Sequence, residues 1–314
     1  MKKLLNFGFF FMASGYFFGG NGEKKAENAG EKQIDSIEIK RAVIPDAPNN
    51  KFDDTLITFS TFEDLYKNIG SHRTLVLKND IIFSDKVKGA KNINAELSFG
   101  LRITGISNLK IVSDKDKLYT LIQPNPAYKV LAFYGCENIH IQNVKAGHEP
   151  KKGSCSASVI SIDKSQNFFI TDSDLYGSGY EGITAYEVTG LYVKNTKIHE
   201  CSFSMMTLSL SENLYFMDCS FVDNNEPSGA GKFYFAKSEN IIFENGEIAR
   251  NARFIGQPTQ DAMFELDDCG DIILNNLHIH DNSAGRFSTD DKMLKINNVK
   301  FENNTWDVKP TASK

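Results

Sequence analysis

From residue 108 to residue 298 one short phrase recurs: an apolar alternation, then Asn or Asp, then a second alternation. The copies begin at Asn138, Asn167, Gly190, Asn213, Asn240 and Asp271, as in Asn138-Ile139-His140-Ile141-Gln142-Asn143 and Asn213-Leu214-Tyr215-Phe216-Met217-Asp218. Asn108-Leu109-Lys110-Ile111 precedes them, and Met293 takes the same phase before Leu294-Lys295-Ile296-Asn297-Asn298. The steps between copies are 30, 29, 23, 23, 27, 31 and 22 residues. A period-2 strand closed by a fixed polar residue, repeated at such spacing, is the mark of a solenoid. A constant base length with variable insertions is what a parallel β-helix produces, because strands hold register while loops absorb length. Parallel crossovers wind right-handed.

Each coil reads as three short strands. In the middle strand the pairs Ile139/Ile141, Phe168/Ile170, Leu191/Val193, Leu214/Phe216, Ile241/Phe243 and Ile272/Leu274 point inward. Alternation then sends His140, Phe169, Tyr192, Tyr215, Ile242 and Ile273 outward. The preceding strand supplies Leu131/Phe133, Ile160/Ile162, Ile183/Ala185, Met206/Leu208, Phe233/Phe235 and Phe264/Leu266. Asn143, Asp172, Asn195, Asp218, Asn245, Asn276 and Asn298 separate the second strand from the third. Stacked Asn side chains bond from coil to coil and tolerate left-handed backbone, so this ladder is expected to be structural.

The flanks differ from the repeat. Lys2 and Lys3 followed by the apolar run from Leu4 to Met12 read as a secretory signal over residues 1–22. The run is too short to span a bilayer, so no transmembrane segment is expected beyond it. Residues 23–52 read as a polar linker and 53–94 as an N-terminal cap with the first strand; 95–305 is the β-helix and 306–314 a polar tail. Within the cap, Ser60-Thr61-Phe62-Glu63 reads as a capping box that opens a short helix over 60–70. Thr74-Leu75-Val76-Leu77 reads as the strand after it. Such a helix would shield an otherwise open sheet edge.

The net charge of −5 is spread along the chain without a basic block, which argues against nucleic acid as a partner. The five cysteines, Cys136, Cys155, Cys201, Cys219 and Cys269, cannot all pair within one chain. Cys136 and Cys269 share a phase but lie five coils apart, far beyond disulfide reach. Buried free thiols are expected.

Rigid solenoids carry function on inserted loops. Five residues past each ladder position stand His148, Gly177, Glu200, Asp223, Arg250 and Asp281, which should stack on one edge. Gly177, Gly179 and Gly182 would leave a notch between His148 and Glu200. His148 and Glu200 are therefore the candidate acid–base pair, with Tyr176 and Tyr180 positioning substrate and Arg250 meeting an anionic group. Residues of these types are equally ordinary at loop ends. His148, Cys155, Glu200 and Cys201 are zinc-type ligands, and His278 and His280 share an outward face, but no CxxC or HxxxH spacing anchors either set. No cofactor is expected on this evidence; calcium and zinc have no motif. The outward stripe Phe169, Tyr192 and Tyr215 offers a flat platform for sugar rings, unless loops or the N-terminal segment cover it. Asp163, Glu265, Asp267, Tyr186 and Tyr234 also face outward on the preceding strand, while Asp267-Asp268 and Asp290-Asp291 read as solvated turns.

Over 95–305 the chain resembles the pectin-lyase-like right-handed parallel β-helix superfamily. The resemblance rests on the coil phrase, on Ala146-Gly147-His148-Glu149-Pro150, on Asp174-Leu175-Tyr176-Gly177-Ser178-Gly179 and on His199-Glu200-Cys201. It implies an all-β solenoid and a range of roles: polysaccharide lyases, glycoside hydrolases, sugar epimerases and non-catalytic surface proteins. The chain has neither the Gly-His-Gly nor the Arg-Ile-Lys element of the polygalacturonase-like hydrolases. It also lacks the calcium-binding acidic cluster and catalytic Arg of pectate lyases, so no catalytic residue transfers by motif. The expectation is an exported, monomeric β-helix that binds a polysaccharide or cell-surface glycan along its lateral face and, if it is an enzyme, processes it as a polysaccharide lyase or glycoside hydrolase. The alternative is a non-catalytic envelope or surface protein acting as a rigid spacer or adhesin.

Overall fold

The computed structural model describes residues 55–87, 91–114, 117–150, 152–224, 231–252 and 261–308. The expected signal segment and polar linker lie outside these residues, as does the tail beyond 308. Three parallel sheets carry the fold. Sheet A has ten strands, from Leu56–Phe59 and Arg73–Leu77 to Leu294–Asn297. Sheet B has nine, from Ile81–Ile82 to Lys300–Glu302, and sheet C ten, from Ala95–Leu97 to Thr305–Val308. The chain visits C, then A, then B in each coil, and only Ala95–Leu97 pairs antiparallel.

The repeat phase sets the register of sheet A. Leu109, Ile139, Phe168, Leu191, Leu214, Ile241, Ile272 and Leu294 are successive partners. The inward pairs read from the sequence are buried throughout sheets A and C. Toward the C-terminal coils the core becomes aromatic: Phe233 stacks on Phe264 at 4.7 Å and Phe216 on Phe243 at 4.7 Å.

The coils begin earlier than residue 95, because Leu56–Phe59 and Arg73–Leu77 already extend sheet A. A single α-helix, Phe62–Asn68, lies between those strands. Its N-cap is Thr61, which accepts from the Asp64 N–H, so the capping box sits one residue later than Ser60 and Glu63 suggest. Past 305, the strand Thr305–Val308 still pairs with Ser283–Ser288, so order continues into the segment read as tail.

The corners explain how such short strands turn. The ladder residues between sheets A and B all adopt positive φ, from 47° at Asn195 to 55° at Asp218 and Asn245. Asn195 donates to Asp172 at 2.8 Å, and Asn298 to Asn276 at 2.6 Å. The same left-handed geometry recurs at Lys164, Glu187, Leu210 and Lys237 between sheets C and A, corners the sequence leaves unmarked, and at Glu200, Asp223, Arg250 and Asp281 after sheet B, the stacked edge expected from the sequence. Left-handed backbone costs a β-carbon about 1 kcal/mol or more. Most corner N–H groups recover a bond one coil on, as Asp223 does to Ala249 O at 3.1 Å.

A second asparagine ladder is buried and was not legible as one. Asn224 donates to Asn251 at 2.9 Å, Asn251 to Asn282 at 3.1 Å, and Asn282 to Asn304 at 2.9 Å. Asn251 also donates to the Phe221 carbonyl at 2.9 Å. Replacing Asn251 by Leu would strand the Asn224 backbone N–H, which donates to Asn251 Oδ1 at 3.1 Å, and the Phe221 carbonyl in the interior. We expect Asn251→Leu to destabilise by about 2–4 kcal/mol, read as a lower denaturation midpoint. An unchanged midpoint would show the ladder to be energetically idle.

Candidate functional site

The insert after the strand Val144–His148 folds down onto the glycines expected to form a notch. A β-carbon at Gly179 would lie 1.9 Å from the Cys155 carbonyl oxygen, and one at Gly177 would lie 3.0 Å from His148 O. One at Gly182 would lie 2.5 Å from Ile198. The glycines therefore admit close approach of the chain itself, and the open notch foreseen from the sequence is filled.

The insert is fastened by Tyr176, which is only 1% exposed. Its ring lies over Gly147, where a β-carbon would approach it to 2.5 Å, and stacks on His199 at 5.8 Å. The ammonium groups of Lys145 and Lys152 stand 4.5 and 4.9 Å from the ring centre. Its hydroxyl donates to Glu149 at 2.9 Å, and burial together with that carboxylate pushes the phenol pKa up. Tyr176 thus closes the insert and is not available to position a substrate.

His148 and Glu200 are not brought together as an acid–base pair. His148 is 2% exposed, with Nε2 on the Tyr128 carbonyl at 2.8 Å. Glu200 occupies a left-handed corner two coils along and pairs with Lys152 at 3.0 Å. His199 lies between two carboxylates: Nε2 is 2.7 Å from Asp174, and Nδ1 is 3.5 Å from Glu200. Burial opposes the charge on Asp174, but His199, Lys145 and Lys197 outweigh it and lower its pKa. Arg250 is another corner residue. It bonds Asp223 at 2.7 and 3.2 Å and lies 3.5 Å from Glu247, so its charge is met within the chain. His280 lies 2.6 Å from Asp281 and 2.9 Å from Glu247, contacts that raise its pKa despite burial. Among the described residues no group of three or more His, Cys, Asp or Glu is arranged to hold a metal. All five cysteines are free; four are buried and Cys269 is partly exposed.

The aromatic stripe on sheet A forms, but not as three open rings. Phe169 stacks on Tyr192 at 4.9 Å, and Tyr192 on Tyr215 at 5.4 Å with planes 5° apart. Phe169 is 3% exposed, and only the two tyrosines remain partly accessible. His140 continues the row, bonds Thr171 at 2.9 Å, and is held neutral by burial, with its pKa down at about 4. Beyond it a cleft of ≈ 710 Å³ opens, lined by Leu56, Val76, Lys110 and Val112 among others.

The densest unclaimed chemistry lies where the insert meets the outer face of sheet C. Strict alternation fails there, since Val130/Leu131, Val159/Ile160 and Met205/Met206 are adjacent pairs that are both fully buried. Gly182 likewise faces Ile198 and Cys201, ahead of inward Ile183. The residue before each pair is Lys129, Ser158, Glu181 or Ser204; Lys129 is half-buried and the other three are buried, with Glu181 and Ser204 partners in register. A period-2 reading assigns Glu181 to the interior and overlooks it; doubled apolar residues at the strand start are the signal that would have found it.

Glu181 is 7% exposed, and burial pushes its carboxyl up to about 7. Lys129 lowers it, the Cys155 sulfur raises it, and the Thr184 and Thr207 hydroxyls favour its charge without either closing a full hydrogen bond. Lys129 itself donates to Ser161 at 2.8 Å. Next in the row Lys232 pairs with Glu265 and stands 5.0 Å from the centre of the Phe203 ring. Phe203 stacks on Tyr180 at 4.9 Å with planes 10° apart, and these rings are 38% and 45% exposed. Of the tyrosines singled out in the sequence for substrate contact, Tyr180 is the one the fold presents openly.

Residues 158–309 match the family model described as the right handed beta helix region. The chain is a right-handed parallel β-helix. The match takes in just under half of the chain and agrees with the right-handed β-helix expected from the repeat. No curated protein matches the sequence. Similar solved structures include the enzymatically active domain of bacteriophage CBA120 tailspike protein 2, with 11% identity over 79% of this chain and 39% of that one and a TM-score of 0.43. A pectate lyase from Paenibacillus sp. 0602 shares 9% identity over 83% and 80% of the two chains, with a TM-score of 0.39. The Streptococcus pneumoniae surface adhesin PfbA shares 12% identity over 80% and 89%, with a TM-score of 0.34. The chain spans 39% and 36% of the two tailspike chains it matches. Among the described residues of this β-helix no helix is long and apolar enough to cross a membrane.

The acid at 181 gives the β-helix a pH signature. Its folded pKa lies above the value near 4.3 of an unfolded glutamate, so the folded state holds the proton more tightly. The stabilisation is full below that value and is lost as pH rises through about 7. Glu181→Gln should therefore raise stability at pH 8 by on the order of 3 kcal/mol and leave it nearly unchanged at pH 4. Thermal melts of both proteins at the two pH values check this; parallel pH profiles would refute the assignment.

Proposed function

We propose that the chain is an exported β-helix protein that binds a carbohydrate polymer across the outer face of sheet C. One observation carries the reading: the stacked, exposed rings of Tyr180 and Phe203 adjoin a row of buried and half-buried charged groups. Successive sugar rings pack their C–H faces on aromatic side chains, while hydroxyls need donors and acceptors at the side. Half-buried Lys129 and Glu265 offer a donor and an acceptor at the face, with Ser161, Glu181 and Lys232 buried behind them. Parallel coils repeat at about 4.8 Å, close to the length of one sugar unit, which suits a polymer running along the solenoid. The part-accessible Tyr192 and Tyr215 on sheet A offer a second, smaller contact surface. Export rests on the N-terminal sequence, where Lys2 and Lys3 precede the apolar run.

Binding is favoured over cleavage for a chemical reason. Glycoside hydrolysis ordinarily uses two carboxyl groups roughly 5–10 Å apart. The groups acting on Glu181 are a lysine, two threonines and a cysteine. Glu181 can still hand over a proton near neutral pH, so it is the residue that a processing activity would use. His148, Tyr176 and Glu200 shape the insert beneath it, and Arg250 holds a corner.

A polysaccharide and glycan array scored for both capture and release of reducing or unsaturated ends tests this. We expect capture by the wild-type protein, with Tyr180→Ala and Phe203→Ala each weakening it about tenfold, the equivalent of ~1.4 kcal/mol per ring. Release that disappears in Glu181→Gln would add catalysis to binding. Silence on the array, or capture indifferent to both ring substitutions, would defeat the proposal.

A further inference from the structure

We propose that the cleft over the first coils of sheet A binds an apolar organic acid, with its carboxylate on Lys110 and its body on Leu56, Val76 and Val112. The cleft measures ≈ 710 Å³, and its lining includes none of the sheet C residues proposed for carbohydrate. Register fixes what faces it. Leu56, Thr74, Lys110 and His140 are successive partners in one outward column, and Val76, Val112 and Gln142 follow one another in the next. These positions alternate with Leu75, Leu109 and Ile111, which fill the core. A sheet face open to water ordinarily carries polar residues at such positions. Here Val76 and Val112 stand side by side, and Leu56 in the adjoining column is 63% exposed.

Lys110 is half-buried among these apolar groups. Among the described residues it makes no ion pair and has no hydrogen-bonded acceptor. Burial lowers its pKa, and no carboxylate acts on it to reverse the shift. The other charged groups lining the cleft are already engaged. Lys78 bonds Asp114 at 2.7 Å, and Asp172 accepts from Asn195 at 2.8 Å and acts on His140 rather than on Lys110. Burial keeps His140 neutral, with its pKa at about 4, so it adds no second cation at neutral pH.

A desolvated ammonium without a counter-ion is costly, and a bound anion returns that cost as a charge-assisted hydrogen bond. One ammonium suits one singly charged group. Thr74, the register partner of Lys110 on the preceding strand, brings a hydroxyl as a second donor. The volume lies within the range of small-molecule sites, roughly 300–1,000 Å³. The apolar wall sets the body of the ligand. Hydroxyls of a sugar acid would lie unpaired against Leu56, Val76 and Val112, whereas an alkyl or aromatic body would gain from burial there.

The test titrates the full chain at neutral pH with decanoate, decanol and glucuronate, followed by calorimetry and by NMR of the lysine ε-carbons. Decanoate should bind. Lys110→Met keeps an unbranched apolar stem and removes the charge; it should weaken decanoate about tenfold or more and leave decanol unchanged. Bound decanoate should also raise the Lys110 titration midpoint, which a lysine with a merely structural role would not show. That shift is read on the wild-type chain, so it decides the matter even if the variant folds poorly. Glucuronate binding as tightly as decanoate would overturn the apolar body. No decanoate binding, or binding that leaves the Lys110 midpoint unmoved, would overturn the site itself.

Discussion

Everything in this fold depends on coil-to-coil backbone hydrogen bonding in fixed parallel register. A strand of two to seven residues cannot stand alone, and each one here is held by its neighbouring coils. That register demands abrupt corners. The chain meets the demand with left-handed residues stacked in columns, so that the conformational cost at most corners is offset by an N–H bonded into the next coil. Variation in coil length is then confined to the insertions, and the insertion after His148 is where the polar chemistry gathers.

The sequence exposed this scheme unevenly. Asn143 through Asn298 mark their corner because asparagine tolerates positive φ and bonds to its own kind. The corner carrying Lys164, Glu187 and Leu210 has the same backbone with no preferred residue, so nothing announces it. The buried ladder through Asn224, Asn251 and Asn282 is spaced by coils of unequal length and reads as scattered asparagines until the loops are placed. The column of Glu200, Asp223 and Arg250 was foreseen as a stacked edge, and it is one; its side chains pair within the chain because a corner residue is fixed by backbone before it is free for chemistry.

The site was harder to read for two physical reasons. A run of glycines can signal either space for a ligand or close packing of chain on chain, and the alternatives differ only in what the insert does. Here Gly177 and Gly179 take the insert's backbone. Period-2 alternation, reliable along sheet A, breaks at the start of each sheet C strand, where two adjacent side chains turn inward to fill the corner. That break presents Glu181 and Lys129 outward and leaves Tyr180 and Phe203 as an exposed pair.

Buried polar groups elsewhere in the solenoid are matched with care: the asparagines form ladders, and Ser165, Ser211 and Ser238 each serve a backbone N–H of the preceding coil. Around the insert that care lapses. Nδ1 of His148 and the hydroxyls of Thr184 and Thr207 lack full partners, and Glu181 is buried without a neutralising contact that returns it to an ordinary pKa. An unmet buried polar group costs about 1–3 kcal/mol; Asn138 Oδ1 and Arg286 Nε carry that cost elsewhere in the solenoid, while His148 and the register partners Thr184 and Thr207 gather around the insert. The concentration of unmet groups beside an exposed aromatic pair is the physical ground on which the proposed recognition at this corner rests.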